Sequence, residues 1–208
     1  MAATQERKIE MNLTKKLQRS IEKNMTMEDA LPTKMPVYVN SLAYMFGVAT
    51  LSSLVLLVVT GMILAIFGPG WYHVSRAGRF FNSLHFWSAQ AFFGSMLLHM
   101  ATKFLLGAWR DGRWKTWMIG VLTFGIAIFS GFTGYLSASN WSSQWHAVQA
   151  KDAMNAMGIG AFFVTTNFSQ TLTLHVAFLP FLVIILVVIH LALVRHESPV
   201  KPYPRKGK

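Results

Sequence analysis

Four histidines, His85, His99, His175 and His190, lie in stretches that are otherwise almost free of ionisable side chains. An imidazole in an apolar span is costly unless its ring nitrogens are satisfied, which makes each one a candidate functional residue. His85 and His99 are 14 residues apart. On a helix their rings leave nearly one face, offset by ~40°, and stand ~21 Å apart along the axis. His175 and His190 are 15 apart, which is ~22 Å of rise with an offset of ~60°. A single histidine in such a place reads as a local hydrogen-bonding group. Two pairs of matched spacing, on helices that run parallel, put one facing pair at each of two depths. Haem iron takes two axial ligands on opposite faces, and neutral imidazole suits it. The second ring nitrogen of each ligand would donate to a carbonyl or hydroxyl. Zinc or a proton relay would instead need histidines gathered at one depth with carboxylates, and no Asp or Glu falls in the four apolar stretches around these residues. Two haems so placed would carry electrons across a membrane.

Glycines repeat the same interval. Gly47 and Gly61 are 14 residues apart, as are Gly120 and Gly134. A helix passing beside a flat macrocycle needs positions without side chains, so Gly47 and Gly120 are expected at the inner site, and Gly61 and Gly134 at the outer one. Helix–helix packing through small residues is the alternative use of each glycine taken alone.

The elements that must hold these residues are visible in the composition. Of 208 residues, 53% are hydrophobic and 13% charged, and the mean hydropathy is +0.39. Soluble domains carry about 25% charged residues. No cysteine is present, which excludes disulfides, thiolate metal sites, iron–sulfur clusters and thioether-linked haem. Apolar stretches at 42–67, 82–106, 116–137 and 171–194 each exceed the ~20 residues that cross a bilayer. The fold class expected is all-α: a four-transmembrane-helix bundle binding two haems, preceded by an interfacial helix. Residues 1–34 form a polar N-terminal segment without a signal-peptide pattern. Within it Leu13, Leu17, Ile21 and Met25 make an apolar stripe against a basic face, suiting a helix lying on the membrane or an ordinary solvated amphipathic helix. Residues 35–196 form the dihaem domain and 197–208 a basic tail. One or two short surface helices are expected between the third and fourth stretches.

The net charge of +11 could suggest nucleic acid, but its distribution points to membrane topology and to no nucleic-acid partner. Sixteen of the 19 Lys and Arg residues lie before the first stretch, at the end of the second or between it and the third, or after the fourth. By the positive-inside rule those segments, with both termini, face the cytoplasm, and the second and fourth helices run parallel. Trp71, Trp109, Trp114, Trp117, Trp141 and Trp145 fall near span ends, as an aromatic belt requires.

The runs "MPVYVN", "GVATLSSLVLLVVTG", "SLHFWSAQ", "TWMIGVLTFGIAIFSGFTGY" and "LHVAFLPFLVIILVVIHLALVRH" resemble the N-terminal four-helix half of cytochrome b from quinol–cytochrome c oxidoreductases. The short split form of plastid and cyanobacterial type is the most similar. The resemblance covers roughly residues 12–200. It implies two non-covalent b-type haems, an outer one on His85 and His175 and an inner one on His99 and His190. It implies quinone as substrate, a separate subunit carrying the C-terminal cytochrome b helices, a Rieske iron–sulfur protein, a c-type cytochrome, and a bacterial plasma membrane. A dimeric complex is one arrangement it allows.

The chain also departs from the family. Ala138 and Ser139 stand where a Pro-Trp pair lines the family's outer quinol site; Gly134, Tyr135 and Trp145 keep the register. Asn82 and Gln170 replace two arginines that pair with haem propionates in the family, and the loop after the first helix is shortened. Arg76 and Arg79 are candidate substitutes, or solvated loop residues. The split form's cysteine for a third haem is absent, so none is expected. Tyr135 and His146 are the candidate residues for quinol chemistry, with His146 as proton acceptor; an interfacial polar role is the plainer alternative for His146. Two other readings stay open from the residues alone: a dihaem anchor of a different quinone-linked enzyme, and a haem-free transporter or assembly factor.

Overall fold

A computed structural model describes Lys15, Lys16, Arg19 and residues 41–197. Among the described residues every regular element is helical. The order is α1 (Leu42–Phe67), α2 (Trp71–Val74), α3 (Arg76–Leu105), α4 (Trp114–Leu136), α5 (Trp141–Ala156), α6 (Phe168–Thr173) and α7 (Leu179–His196), with a five-residue π-turn, Leu174–Phe178, joining α6 to α7. Lys15, Lys16 and Arg19 are helical and exposed. The apolar stripe expected beside them lies outside the described residues, as does the tail beyond Glu197.

Three helices are long and apolar enough to cross a membrane: α1, α4 and the continuous helix Phe168–His196. The fourth expected span, α3, is the longest helix at 30 residues. Its lower apolarity has a specific cause: Asn82, Ser83, His85, Ser88, Gln90, Ser95 and His99 are all within it. α3 packs along α1, and α4 along α7. Buried Phe92 and Met96 of α3, Ala127 of α4 and Val183 of α7 form the core, with Leu54 and Leu57 of α1 packed against them. Every one of these residues falls between the two members of a repeated pair on its own helix: His85 and His99, Gly120 and Gly134, His175 and His190, Gly47 and Gly61. The apolar core is thus a plug separating two histidine layers.

The π-turn explains the unequal histidine spacings. A π-turn closes i→i+5 and so holds one residue more than an α-turn. His175 sits inside it, and the extra residue between His175 and His190 is absorbed there. Pro180 is the second residue of α7; its ring cannot accept the carbonyl of the residue four before it in ordinary α geometry, and that residue, Val176, is in the π-turn.

A single surface helix, α5, fills the connection between the third and fourth stretches. Asn140 starts it: its side chain accepts from Ser143 N while Ser143 Oγ accepts from the Asn140 N–H, a reciprocal cap.

Candidate functional site

At one end of the plug His85 faces His175, with ring centroids 6.1 Å apart and planes at 83°. That gap is too wide for a direct hydrogen bond. It leaves room for one metal atom, since imidazole nitrogen–metal bonds run about 2.0–2.1 Å. The tautomers follow from the partners. His175 Nδ1 lies 2.9 Å from the Ser130 carbonyl, which can only accept, so Nδ1 carries the proton. His85 Nδ1 lies 2.8 Å from Thr60 Oγ1. That hydroxyl, 2% exposed, gives its own proton to the Leu56 carbonyl at 2.6 Å and so accepts from His85. Both rings keep Nε2 as the lone-pair nitrogen, the state a metal requires.

His99 and His190 occupy the other end, near enough to interact electrostatically with each other and with Lys103. His190 Nδ1 donates to the Thr116 carbonyl at 3.1 Å, which fixes the same tautomer. His99 differs: its Nδ1 is buried without a hydrogen-bond partner. The hydroxyl that serves His85 comes from Thr60, beside Gly61; the residue beside Gly47, 14 positions earlier, is Phe46, which has no hydroxyl. Lys103, one helical turn beyond His99, has a buried ammonium that also lacks a hydrogen-bond partner and stands 3.2 Å from the centre of the Tyr44 ring. A cation so placed fits a site whose occupant carries carboxylates. Among the described residues, no three His, Cys, Asp or Glu side chains converge on one point; the imidazoles come as two pairs.

Each glycine of the repeat touches one imidazole. A Cβ at Gly47 would lie 3.1 Å from His99 Cε1, one at Gly61 3.2 Å from His85 Cε1, and one at Gly120 3.1 Å from His190 Cε1. At Gly134 it would lie 2.7 Å from His175 Nδ1 and 2.8 Å from Nε2. The depth pairing is the one expected, but in this structure the glycines clear the histidine rings themselves. On α4 the device repeats. A carbonyl holds the ring nitrogen and a glycine four residues on gives the ring space: Thr116 with Gly120, Ser130 with Gly134.

Beyond the outer pair, Tyr135 and His146 come together. Tyr135 Oη is 2.6 Å from Ser142 Oγ and 3.3 Å from His146 Nδ1. His146 Nδ1 donates to the Ser142 carbonyl at 2.7 Å, which leaves Nε2 as its basic nitrogen. The altered run before α5 is held from the other side, because the Tyr72 hydroxyl donates to the Ala138 carbonyl. Burial pushes the Tyr72 phenol up, so it remains a donor through neutral pH. Ser139, at φ 52°, lines a cleft of ≈ 320 Å³ with Gln144, Ala147 and Thr165; Tyr135 and His146 are not part of it.

Arg76 and Arg79 are exposed in the first turns of α3, and Arg79 reaches back to the His73 carbonyl at 3.5 Å. Gln170, where the resembled family has arginine, uses both ends of its amide on the backbone. It accepts from Val164 N and donates to the Phe162 carbonyl, each at 2.8 Å, and so staples the loop after α5. Residue type and spacing do not single out Thr60, Thr116, Ser130 or Lys103 as site residues. The signal for Thr60 was its place beside a repeat glycine, and for Lys103 its i+4 position from His99; carbonyl partners leave no trace in residue type.

The family model described as cytochrome b (N-terminal)/b6/petB matches residues 90–208, more than half the chain. Cytochrome b6 of Heliobacterium modesticaldum is 26% identical over 193 residues, which cover 82% of this chain and 91% of that protein. The cytochrome b subunit of the cytochrome bc1 complex of Mycobacterium tuberculosis is 28% identical over 148 residues. These cover 64% of this chain and 26% of the relative, so the chain spans about a quarter of the mycobacterial length. A solved structure titled hyperthermophilic respiratory Complex III superposes with a TM-score of 0.70 at 20% identity, covering 81% of this chain and 52% of that one. That likeness is one of fold.

Proposed function

The chain belongs to the cytochrome b (N-terminal)/b6/petB family, and from that premise we propose that it is the dihaem b-type subunit of a membrane quinol–cytochrome c oxidoreductase. The chain is an integral, multi-pass membrane protein. The observation that carries the reading is the arrangement of two imidazole pairs at opposite ends of an apolar plug, with Nδ1 held by a protein acceptor in three of the four rings.

His85 and His175 would hold an outer haem, and His99 and His190 an inner one. Bound there, a haem supplies a one-electron redox centre. The protein fixes ring orientation through Thr60, Ser130 and Thr116, keeps water out with the plug of Phe92, Met96, Ala127 and Val183, and sets charge with Lys103. Arg76 and Arg79 are the cations nearest in sequence to the outer ligand and are assigned to the outer propionates. Quinol oxidised beside the outer site gives up two electrons and two protons. His146 Nε2, backed by the Ser142 carbonyl and beside the Tyr135 hydroxyl, is the assigned proton acceptor. The partners are a separate subunit with the remaining cytochrome b helices, as the match along nearly the whole of cytochrome b6 supports, a Rieske protein and a c-type cytochrome. The membrane is the bacterial plasma membrane, with both termini cytoplasmic.

The test is substitution of ligands singly in the complex. His85→Ala and His175→Ala should each abolish the same haem signal and leave the other. If they abolish different signals, the pairing is wrong. His146→Ala should slow quinol-dependent haem reduction without removing either haem; an unchanged rate removes His146 from the reaction.

A further inference from the structure

We propose that Glu197 is a positioning residue that fixes the inner ligand His190 through Thr116 and lowers the redox potential of the haem held there. The inference rests on the dihaem reading above.

Thr116 does two things at once. Its carbonyl accepts from His190 Nδ1 at 3.1 Å, and its hydroxyl donates to Glu197 Oε2 at 2.5 Å. Hydroxyl-to-carboxylate bonds of about 2.5–2.7 Å are the charge-assisted, stronger kind. Thr116 is in the first turn of α4, and Glu197 closes α7, two turns beyond His190. The contact therefore ties the start of one helix to the end of the other directly over the inner ligand. Helix stability does not account for a carboxylate here. The C-terminal end of a helix carries partial negative charge and favours cations, which Arg195 and His196 already supply in the last turn.

The other carboxylates among the described residues are placed differently. Asp111 pairs with Arg113 at 2.9 Å in the loop between α3 and α4, and Asp152 lies on α5. The outer site has no counterpart: the Ser130 carbonyl that accepts from His175 accepts also from the Thr133 hydroxyl, at 2.9 Å. The two sites thus share a carbonyl–glycine cradle; the inner one adds the Lys103 ammonium one turn beyond His99 and, on the opposite ligand, the Glu197 carboxylate behind His190. A group behind a ligating histidine fixes its orientation and raises its basicity. An anion near the metal also favours the oxidised, more positive state. Both effects lower the potential of the inner haem.

The test is a redox titration of the b haems in the intact membrane complex. In Glu197→Gln, where the amide oxygen still accepts from Thr116 but the charge is gone, one of the two midpoints should move upward and the other should hold. Thr116→Val, which keeps the carbonyl and removes the hydroxyl, should move the same midpoint the same way. Thr116→Ser should restore the original value, and the double variant Glu197→Gln, Thr116→Val should move it no further than Glu197→Gln alone. Neither midpoint moving, both moving equally, or a downward shift overturns the assignment. Absence of two haem transitions in the unsubstituted complex overturns the dihaem reading and this inference with it.

Discussion

A methyl group at Gly134 would press on three atoms of the His175 ring, whereas one at Gly120 or Gly47 would meet an imidazole edge at 3.1 Å. The first contact needs the ring to move; the second needs a shift of a few tenths of an ångström. Gly134→Ala should therefore displace His175 from the Ser130 carbonyl and strip most of the outer haem, while Gly120→Ala leaves most of the inner haem bound. Haem-resolved difference spectra of the two variants check this, and equal losses would show that the glycines serve general helix packing instead. Overpacking of this kind costs about 1–3 kcal/mol or more in a tight interior. The same scale shows where reading residue types stopped. The histidines and glycines are legible because three intervals of 14 and one of 15 are written in the sequence. Their Nδ1 partners were not, because two of the three are backbone carbonyls that any residue supplies.

Among the elements, α1 runs over the stretch expected, Leu42–Phe67, since no charged residue interrupts it, the hydroxyls of Thr50, Ser53 and Thr60 bond to carbonyls four residues back, and Ser41 and Gly68 bound it. The start of α3 lies earlier than the apolar pattern suggested, at Arg76, because Ser75 caps it by accepting from Gly78 N at 3.3 Å; an N-terminal turn needs a cap more than apolar residues. The π-turn had two signals, the 15-residue interval and Pro180, whose joint meaning appears only when the helix is built. The short helix α2 depends on one position. A Cβ at Gly78 would lie 2.7 Å from both the Trp71 carbonyl oxygen and the Tyr72 Cα, and backbone cannot yield as a side-chain tip does. Gly78→Ala should unseat α2 from α3, break the Tyr72–Ala138 link and destabilise the protein by about 1–3 kcal/mol. A lower melting temperature and faster proteolysis at residues 69–75 are the readouts; unchanged values would show that α2 is held elsewhere.

Over the whole molecule, charge placement and the plugged bundle fit one orientation. The inner pair lies toward Lys103, the α3–α4 loop and the end of α7, the basic side; the outer pair lies toward α2 and α5. Protease added to sealed right-side-out vesicles should leave the tail "SPVKPYPRKGK" intact and cleave it only after permeabilisation. Cleavage in sealed vesicles would exchange inner for outer throughout.

Two imidazole pairs, each proposed to hold one haem by coordination alone, carry the assigned electron transfer. The most direct measurement is the haem content of the purified chain, or of its complex after subtraction of any covalently bound c-type haem, with acid–acetone extraction and low-temperature spectroscopy of the product. Two extractable b-type haems per chain, both with the low-spin signature of two imidazole ligands, are the predicted result. One haem per chain, none, or a high-spin centre lacking a second imidazole would contradict it.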